Sequence, residues 1–169
     1  ENTINNVECY NANTASILVD VLNTVGNYQI FWNGVSDDSV YISDLNSGTY
    51  EATVIDENNC VKVESFIVTQ NEEIQTEIST QNSTCTAVSD GKIFINNLFG
   101  GIPPYNIYNN GNLIDEVIYL STIIESLAAT LNSDPYQVLI TDAVDCEFTE
   151  EVILDFDGGY NCIDEPIII

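Results

Sequence analysis

The chain contains no histidine, no arginine and no methionine, and its only basic side chains are Lys62 and Lys92, set against 27 acidic residues for a formal charge of −25 over 169 residues. Each absence closes off a class of chemistry. Without histidine there is no Ser-His or Cys-His nucleophile pair, and without arginine there is no planar clamp for a carboxylate or phosphate. With almost nothing to neutralise phosphates, nucleic acid and anionic membrane are excluded as electrostatic partners. No apolar run approaches the roughly 20 residues of a membrane span, so membrane insertion is not expected. Neither a Walker-type phosphate loop nor a dinucleotide fingerprint is present. Adjacent carboxylates such as Asp37-Asp38 and Glu72-Glu73 fall in turn-like stretches, whereas glycoside cleavage needs two carboxyl groups facing each other across a cleft. The expectation is a protein that is not an enzyme. Because Glu1 is not a translation start, a removed signal peptide or a longer parent chain is also expected.

What is present is said twice. Tyr28-Gln-Ile-Phe-Trp-Asn-Gly34 returns as Tyr105-Asn-Ile-Tyr-Asn-Asn-Gly111, and Tyr50, Asp56 and Cys60 return at the same mutual spacing as Tyr136, Asp142 and Cys146. Cys9 precedes the first set and Cys85 the second. Self-similarity at roughly 80 residues is too long for a solenoid repeat and right for a complete small domain. The expected organisation is residues 1–78 as one copy, 79–158 as a second, and 159–169 as a connector or assembly strand. Hydrophobic residues make up 44% of the chain, enough for packed cores and outside the composition of disordered segments.

Local patterns read as strands. Tyr50, Ala52 and Val54 share one face of residues 50–55, and Tyr136, Val138 and Ile140 share one face of residues 136–141, the period-two signature of a half-buried strand. Turn residues come after each run, at 56–59 and 142–145, and further strands are predicted over 61–69 and 147–155, giving a hairpin in each copy. Residues 16–21 and 92–96 are earlier strands. Residues 28–32 and 105–108 are aromatic-rich strands stopped by Asn33-Gly34 and Asn110-Gly111, the strongest short-range hairpin signal. Six or seven short strands per copy argue for an all-β chain of two tandem immunoglobulin-like antiparallel β-sandwich domains. One segment resists: Leu120, Ile123, Ile124, Leu127, Ala128 and Leu131 fall at helical spacing, so a strand to about Ile124 and then a short helix is expected.

Cysteine usage points away from the cytosol. Cys9 and Cys60 bracket the first copy and Cys85 and Cys146 the second, whereas metal ligands cluster as CxxC pairs and recruit histidine. Pairing within each copy is the preferred connectivity, and closing loops of that length stabilises a domain by roughly 4 kcal/mol in the chain-entropy model. Four buried free thiols are the alternative. Cys162 is left over for an intermolecular link, a bond to a following domain, or burial.

The repeated residues also carry a resemblance. A leading cysteine, Asp90-Gly91, Gly100-Gly-Ile-Pro-Pro-Tyr105, an aromatic strand ending in Asn-Gly, Leu45-Asn-Ser-Gly-Thr-Tyr50 and the Asp-x-x-x-Cys turn resemble the SprB-type repeat of Bacteroidetes surface proteins. The resemblance covers residues 6–78 and 79–157. It implies large secreted cell-surface adhesins associated with gliding motility and exported by the type IX route, and it brings no catalytic residues. The first copy departs from it, having Thr24-Val-Gly-Asn27 where the second has the Gly-Gly-x-x-Pro run, and the second has Asp134-Pro135 before its tyrosine.

Four further sets of residues are candidates for function. No cofactor is expected, with calcium the one exception: Asp37, Asp38, Asp56, Asp142 and Asp145 offer the hard oxygen ligands it prefers, although Asp recurs in turns for backbone reasons alone. Asn82 begins an Asn-Ser-Thr sequon, and Asp38-Ser39-Val40 is similar to the Bacteroidetes O-glycosylation signal. Trp32, Phe31, Tyr105 and Tyr108 are either core residues, the preferred reading, or a sugar-stacking platform. Ile167, Ile168 and Ile169, with Cys162, would link copies by adding to a neighbour's open sheet edge. The function expected is a secreted structural or adhesive repeat protein on a cell surface or appendage, with neighbouring copies or domains of the same protein, or glycans, as partners. A filament subunit and a carbohydrate-binding module are the alternatives.

Overall fold

Alternation along the chain becomes strand pairing in a computed structural model that describes residues 1–35, 37–84, 88–118, 120–129 and 134–156. Two compact units divide between Glu72 and Glu73. Unit 1 carries β1 (Thr3–Asn5), β2 (Ala15–Leu18), β3 (Tyr28–Trp32), β4 (Tyr41–Leu45), β5 (Gly48–Asp56) and β6 (Val61–Val68). Unit 2 carries β7 (Gln75–Gln81), β8 (Gly91–Phe99), β9 (Tyr105–Asn109), β10 (Asn112–Val117), β11 (Leu120–Leu127), β12 (Tyr136–Thr141) and β13 (Glu147–Val152). The division precedes the expected 78/79 boundary because Gln75 to Gln81 pairs with β8 and belongs to the second copy.

Each unit is an antiparallel β-sandwich of immunoglobulin-like build. In unit 1 one sheet runs β1-β2-β4 and the other β3-β5-β6; in unit 2 the corresponding sheets are β7-β8-β11 and β10-β9-β12-β13. The first strand of each unit also changes sheets. After pairing with its neighbour, the chain makes a parallel bridge to a residue just beyond the last strand, Val7 to Gln70 in unit 1 and Ser83 to Phe156 in unit 2. Tyr50 Oη donates to Asn46 O (3.0 Å) and Tyr136 Oη to Ala128 O (3.1 Å), as the tyrosine corner of such sandwiches does.

Packing obeys the two-residue period. Ala15, Ile17, Ile30, Trp32, Ile42, Leu45, Ala52, Phe66 and Val68 form the unit 1 core with Val7 and Val19. In unit 2, Ile93, Ile95, Ile107, Ile124, Val138, Ile140 and Leu154 are buried. Trp32 is core, its ring centroid 5.6 Å from that of Phe66 and its Nε1 donating to Ser39 O at 2.9 Å.

Three local expectations are corrected. Leu120 to Leu127 is a strand throughout, paired with β8: apolar residues at helical spacing are absorbed by register shifts after Leu120 and between Ile124 and Leu127, with Ser126 at positive φ. Residues 130–133, where the expected helix would end, lie outside the described residues. Asn110-Gly111 closes a two-residue hairpin from β9 to β10, both residues having positive φ, but Asn33-Gly34 does not close one, because the next strand, β4, joins the other sheet. The Cys9–Cys60 bridge is absent: Cys60 is an exposed free thiol and Cys9 is disulfide-bonded elsewhere. Cys60 lies in the turn just ahead of β6, and residue spacing alone does not bring two Cα atoms within the roughly 4.4–6.8 Å that a disulfide needs.

Candidate functional site

The doubled Asp-x-x-x-Cys turn is a carboxylate clamp. Asp56 Oδ1 accepts the N–H of Asn58 (2.8 Å) and of Cys60 (2.9 Å), while Oδ2 accepts that of Val25 (3.3 Å). Asp142 repeats this: Oδ1 takes Val144 (2.9 Å) and Cys146 (2.9 Å), and Oδ2 takes Ile102 (2.8 Å). The backbone of the turn repeats too, with Asp56 N on Cys60 O and Asp142 N on Cys146 O, and with Asn59 and Asp145 both at a φ of 62°. Each aspartate therefore ties a hairpin turn to the loop three residues ahead of the Tyr28 or Tyr105 strand. Gly101, at φ +60°, lies so close to Asp142 that a Cβ there would sit 2.7 Å from Oδ2. Val25 does the work of Ile102 although the first copy lacks the Gly-Gly-x-x-Pro run.

Burial differs between the two clamps. Asp142 is buried at 1% exposure. The backbone N–H of Cys60, foremost, holds the Asp56 carboxyl below its ordinary value, against a smaller opposing effect of burial. Tyr105, whose hydroxyl donates to Gly100 O (2.5 Å), is pushed up by burial first and by the charge of Asp142 second.

A third clamp, of a different kind, has no local sequence pattern to declare it. Asp90 Oδ1 accepts from Thr84 N (2.9 Å) and Oδ2 from the Thr84 hydroxyl (2.7 Å), with Ser83 Oγ 3.0 Å from Oδ1. These bonds, the Thr84 N–H first, hold the Asp90 carboxyl low. The sequon lies within this network: Asn82 Oδ1 accepts from Asp155 N (3.2 Å), and the hydroxyl of its third residue is bound to Asp90.

The other candidate residues do not converge. Asp37 Oδ1 accepts Ser39 N (2.8 Å), and the Ser39 hydroxyl donates to Tyr41 O. Asp37 and Asp38 border clefts beside β3. Asp145 holds a left-handed turn position. Among the described residues no group of three or more His, Cys, Asp or Glu side chains comes together as a metal site. Trp32 and Tyr105 are buried, at 6% and 4% exposure, and in different units, whereas Phe31 is 48% exposed. The sugar-stacking platform built on Trp32 is therefore withdrawn. Cys146 is buried and disulfide-bonded. Cys85, Cys162 and Ile167, Ile168 and Ile169 lie outside the described residues, and with them the Cys85–Cys146 pairing and the assembly strand.

Unit 1 also has a cleft of about 290 Å³. Val19, Val21, Ala52, Val54, Cys60 and Lys62 are among its walls. Side-chain subtraction explains it. Counted from the repeated tyrosine and cysteine, Ala52, Val54 and Lys62 stand where unit 2 has Val138, Ile140 and Phe148, so the smaller and charged residues leave the end of the sandwich open.

Among the described residues no helix is long and apolar enough to cross a membrane. No protein-family model matches this chain, and no curated protein matches it. Among solved structures it is similar to the fibronectin(III)-like modules of Clostridium thermocellum CbhA, at 10% identity and a TM-score of 0.34, with 92% of this chain and 95% of that one covered. A likeness of that degree adds nothing to the sandwich fold already visible in the sheet pairing.

Proposed function

We propose that this chain is a non-enzymatic, extracellular structural or adhesive repeat protein of a cell surface or surface appendage. One observation carries the reading: what the sequence duplicates is scaffold. The repeated aspartates hold turns, the repeated tyrosines at 50 and 136 hold corners, and the repeated Ile30 and Ile107 fill cores. An enzyme copied in tandem would repeat a reactive constellation, and these residues spend their polar atoms on the backbone. That Cys9 and Cys146 are disulfide-bonded supports an oxidising compartment, and the charge of −25 favours solubility in salty surroundings, where self-repulsion is screened. Brief proteolysis of intact source cells tests the proposal. Peptides of this chain should be released before any cytosolic marker; recovery only after lysis contradicts a surface location.

A further inference from the structure

Strand β3 has one bare edge. In the antiparallel pairing of β3 with β5, Asn33 N donates to Glu51 O, so Phe31 and Gln29, two and four residues back, also point their main-chain groups at β5. The N–H and C=O groups of Tyr28, Ile30 and Trp32 consequently point the other way. Among the described residues nothing pairs with them, since the sheet order ends at β3.

Unit 2 shows what that position is shaped to hold. Tyr105, Ile107 and Asn109, the counterparts of those three residues, pair with Val117, Asp115 and Asn112 of β10. Unit 1 lacks the strand for a reason of length and local bonding. Only residues 35–40 separate Gly34 from β4, against 112–119 between Gly111 and β11. The shorter segment is turned on itself by Asp37, Ser39 and Tyr41 and is fastened by the Trp32 indole.

Nothing in β3 guards the edge. Sheet edges are protected by charges, proline, bulges or covering loops, and Tyr-Gln-Ile-Phe-Trp has no charge and no proline and pairs with β5 without a register shift. The clefts alongside it are lined by Tyr28, Phe31, Val35, Val40 and the carboxylate-bearing Asp37 and Asp38. An occupant must therefore bring apolar side chains and positive charge. A second copy of this chain is poorly suited to supply that charge, because Lys62 pairs with Glu64 (3.1 Å), Lys92 with Glu125 (2.7 Å) and the Glu1 amine with Asp20 (2.6 Å).

We infer that the open edge of β3 accepts an extended, lysine- or arginine-bearing segment of another protein as an added antiparallel strand, in the place that β10 fills in unit 2. Main-chain hydrogen bonds supply the pairing, and Asp37 and Asp38 select for basic residues. The surface deepens the adhesive reading by naming a partner chemistry, but the pairing itself depends on the sheet edge alone.

Amide hydrogen exchange on the full chain, monitored by NMR, tests the inference, with a capped peptide of alternating valine and lysine as probe. In the free chain the amides of Tyr28, Ile30 and Trp32 should exchange fast while those of Tyr105, Ile107 and Asn109 are protected. The peptide should slow exchange at the first three by about tenfold or more, as closing an open edge does. Asp38→Asn should weaken peptide binding roughly two- to fivefold, the range of an exposed ion pair, with the fold unchanged. A proline-interrupted peptide of equal charge should give no protection. Three results would overturn the inference: protection of the β3 amides in the free chain, whether constant or rising with protein concentration as a second copy would produce; no protection by the peptide; or equal binding of the proline-interrupted peptide. None of these would touch the proposed surface location, which the proteolysis experiment reads separately.

Discussion

At the scale of the residue, the aspartate clamp explains why two short motifs recur. Asp142 is buried and satisfies three backbone N–H groups. Asp142→Ala would strand those donors, and each unsatisfied buried group costs about 1–3 kcal/mol before relaxation. A loss of about 3–5 kcal/mol in unit 2 is expected by chemical denaturation, with unit 1 unchanged and Asp142→Asn costing less because one amide oxygen still accepts. The ionised clamps also set the pH range. Asp56 and Asp90 are held below the ordinary value of 3.8, so the unfolded chain takes up protons first as the pH falls. Their contribution is full above about pH 4 and is lost as the pH drops through their lowered folded values. Tyr105 lies above its ordinary 10.0 through burial and the charge of Asp142, so its contribution is full below that value and is lost as the pH rises through the folded one. Denaturant midpoints measured against pH should form a plateau with these two shoulders; a midpoint that keeps rising below about pH 4 would contradict the clamps.

At the scale of the element, hairpins and alternation were legible and edges were not. Tyr50 to Ile55 and Tyr136 to Thr141 declare their period within the strand, and an Asp with a Cys four residues later declares a turn. Val25 and Ile102 complete the clamps from 31 and 40 residues away, a distance that no local pattern encodes. The same limit hid the Cys60 thiol, since cysteine spacing does not report three-dimensional separation, and it made Asn33-Gly34 look like its hairpin-forming counterpart. Whether the chain after Asn-Gly pairs or turns away depends on how many residues remain before the next core strand, and unit 1 is short there. The unit 1 cleft belongs to this scale as well. Lys62→Phe restores the side chain that unit 2 carries and should raise the stability of unit 1 by about 1 kcal/mol, since burying a Phe yields roughly 1.5–3 kcal/mol and the exposed Lys62–Glu64 pair is worth under about 1. A lowered thermal midpoint would show that the cleft is not an under-filled end of the core.

At the scale of the molecule, the chain is two sandwiches made to one plan, each with its own core and its own clamp. The two copies differ most visibly in the strand β10, the clefts of unit 1 and the outer sheet faces. The face of β5 and β6 that points away from the unit 1 core exposes Val61, Val63 and Ile67, whereas β13 exposes Glu147, Thr149 and Glu151. The two copies share the scaffold and differ at their surfaces, which is what the proposed structural or adhesive role requires. Single-molecule stretching of the chain by its two ends tests this most directly. Two sandwiches with separate cores should give two separate mechanical unfolding events, one of which alone is weakened in Asp142→Ala; a single event, or featureless low-force extension, would contradict two independent units.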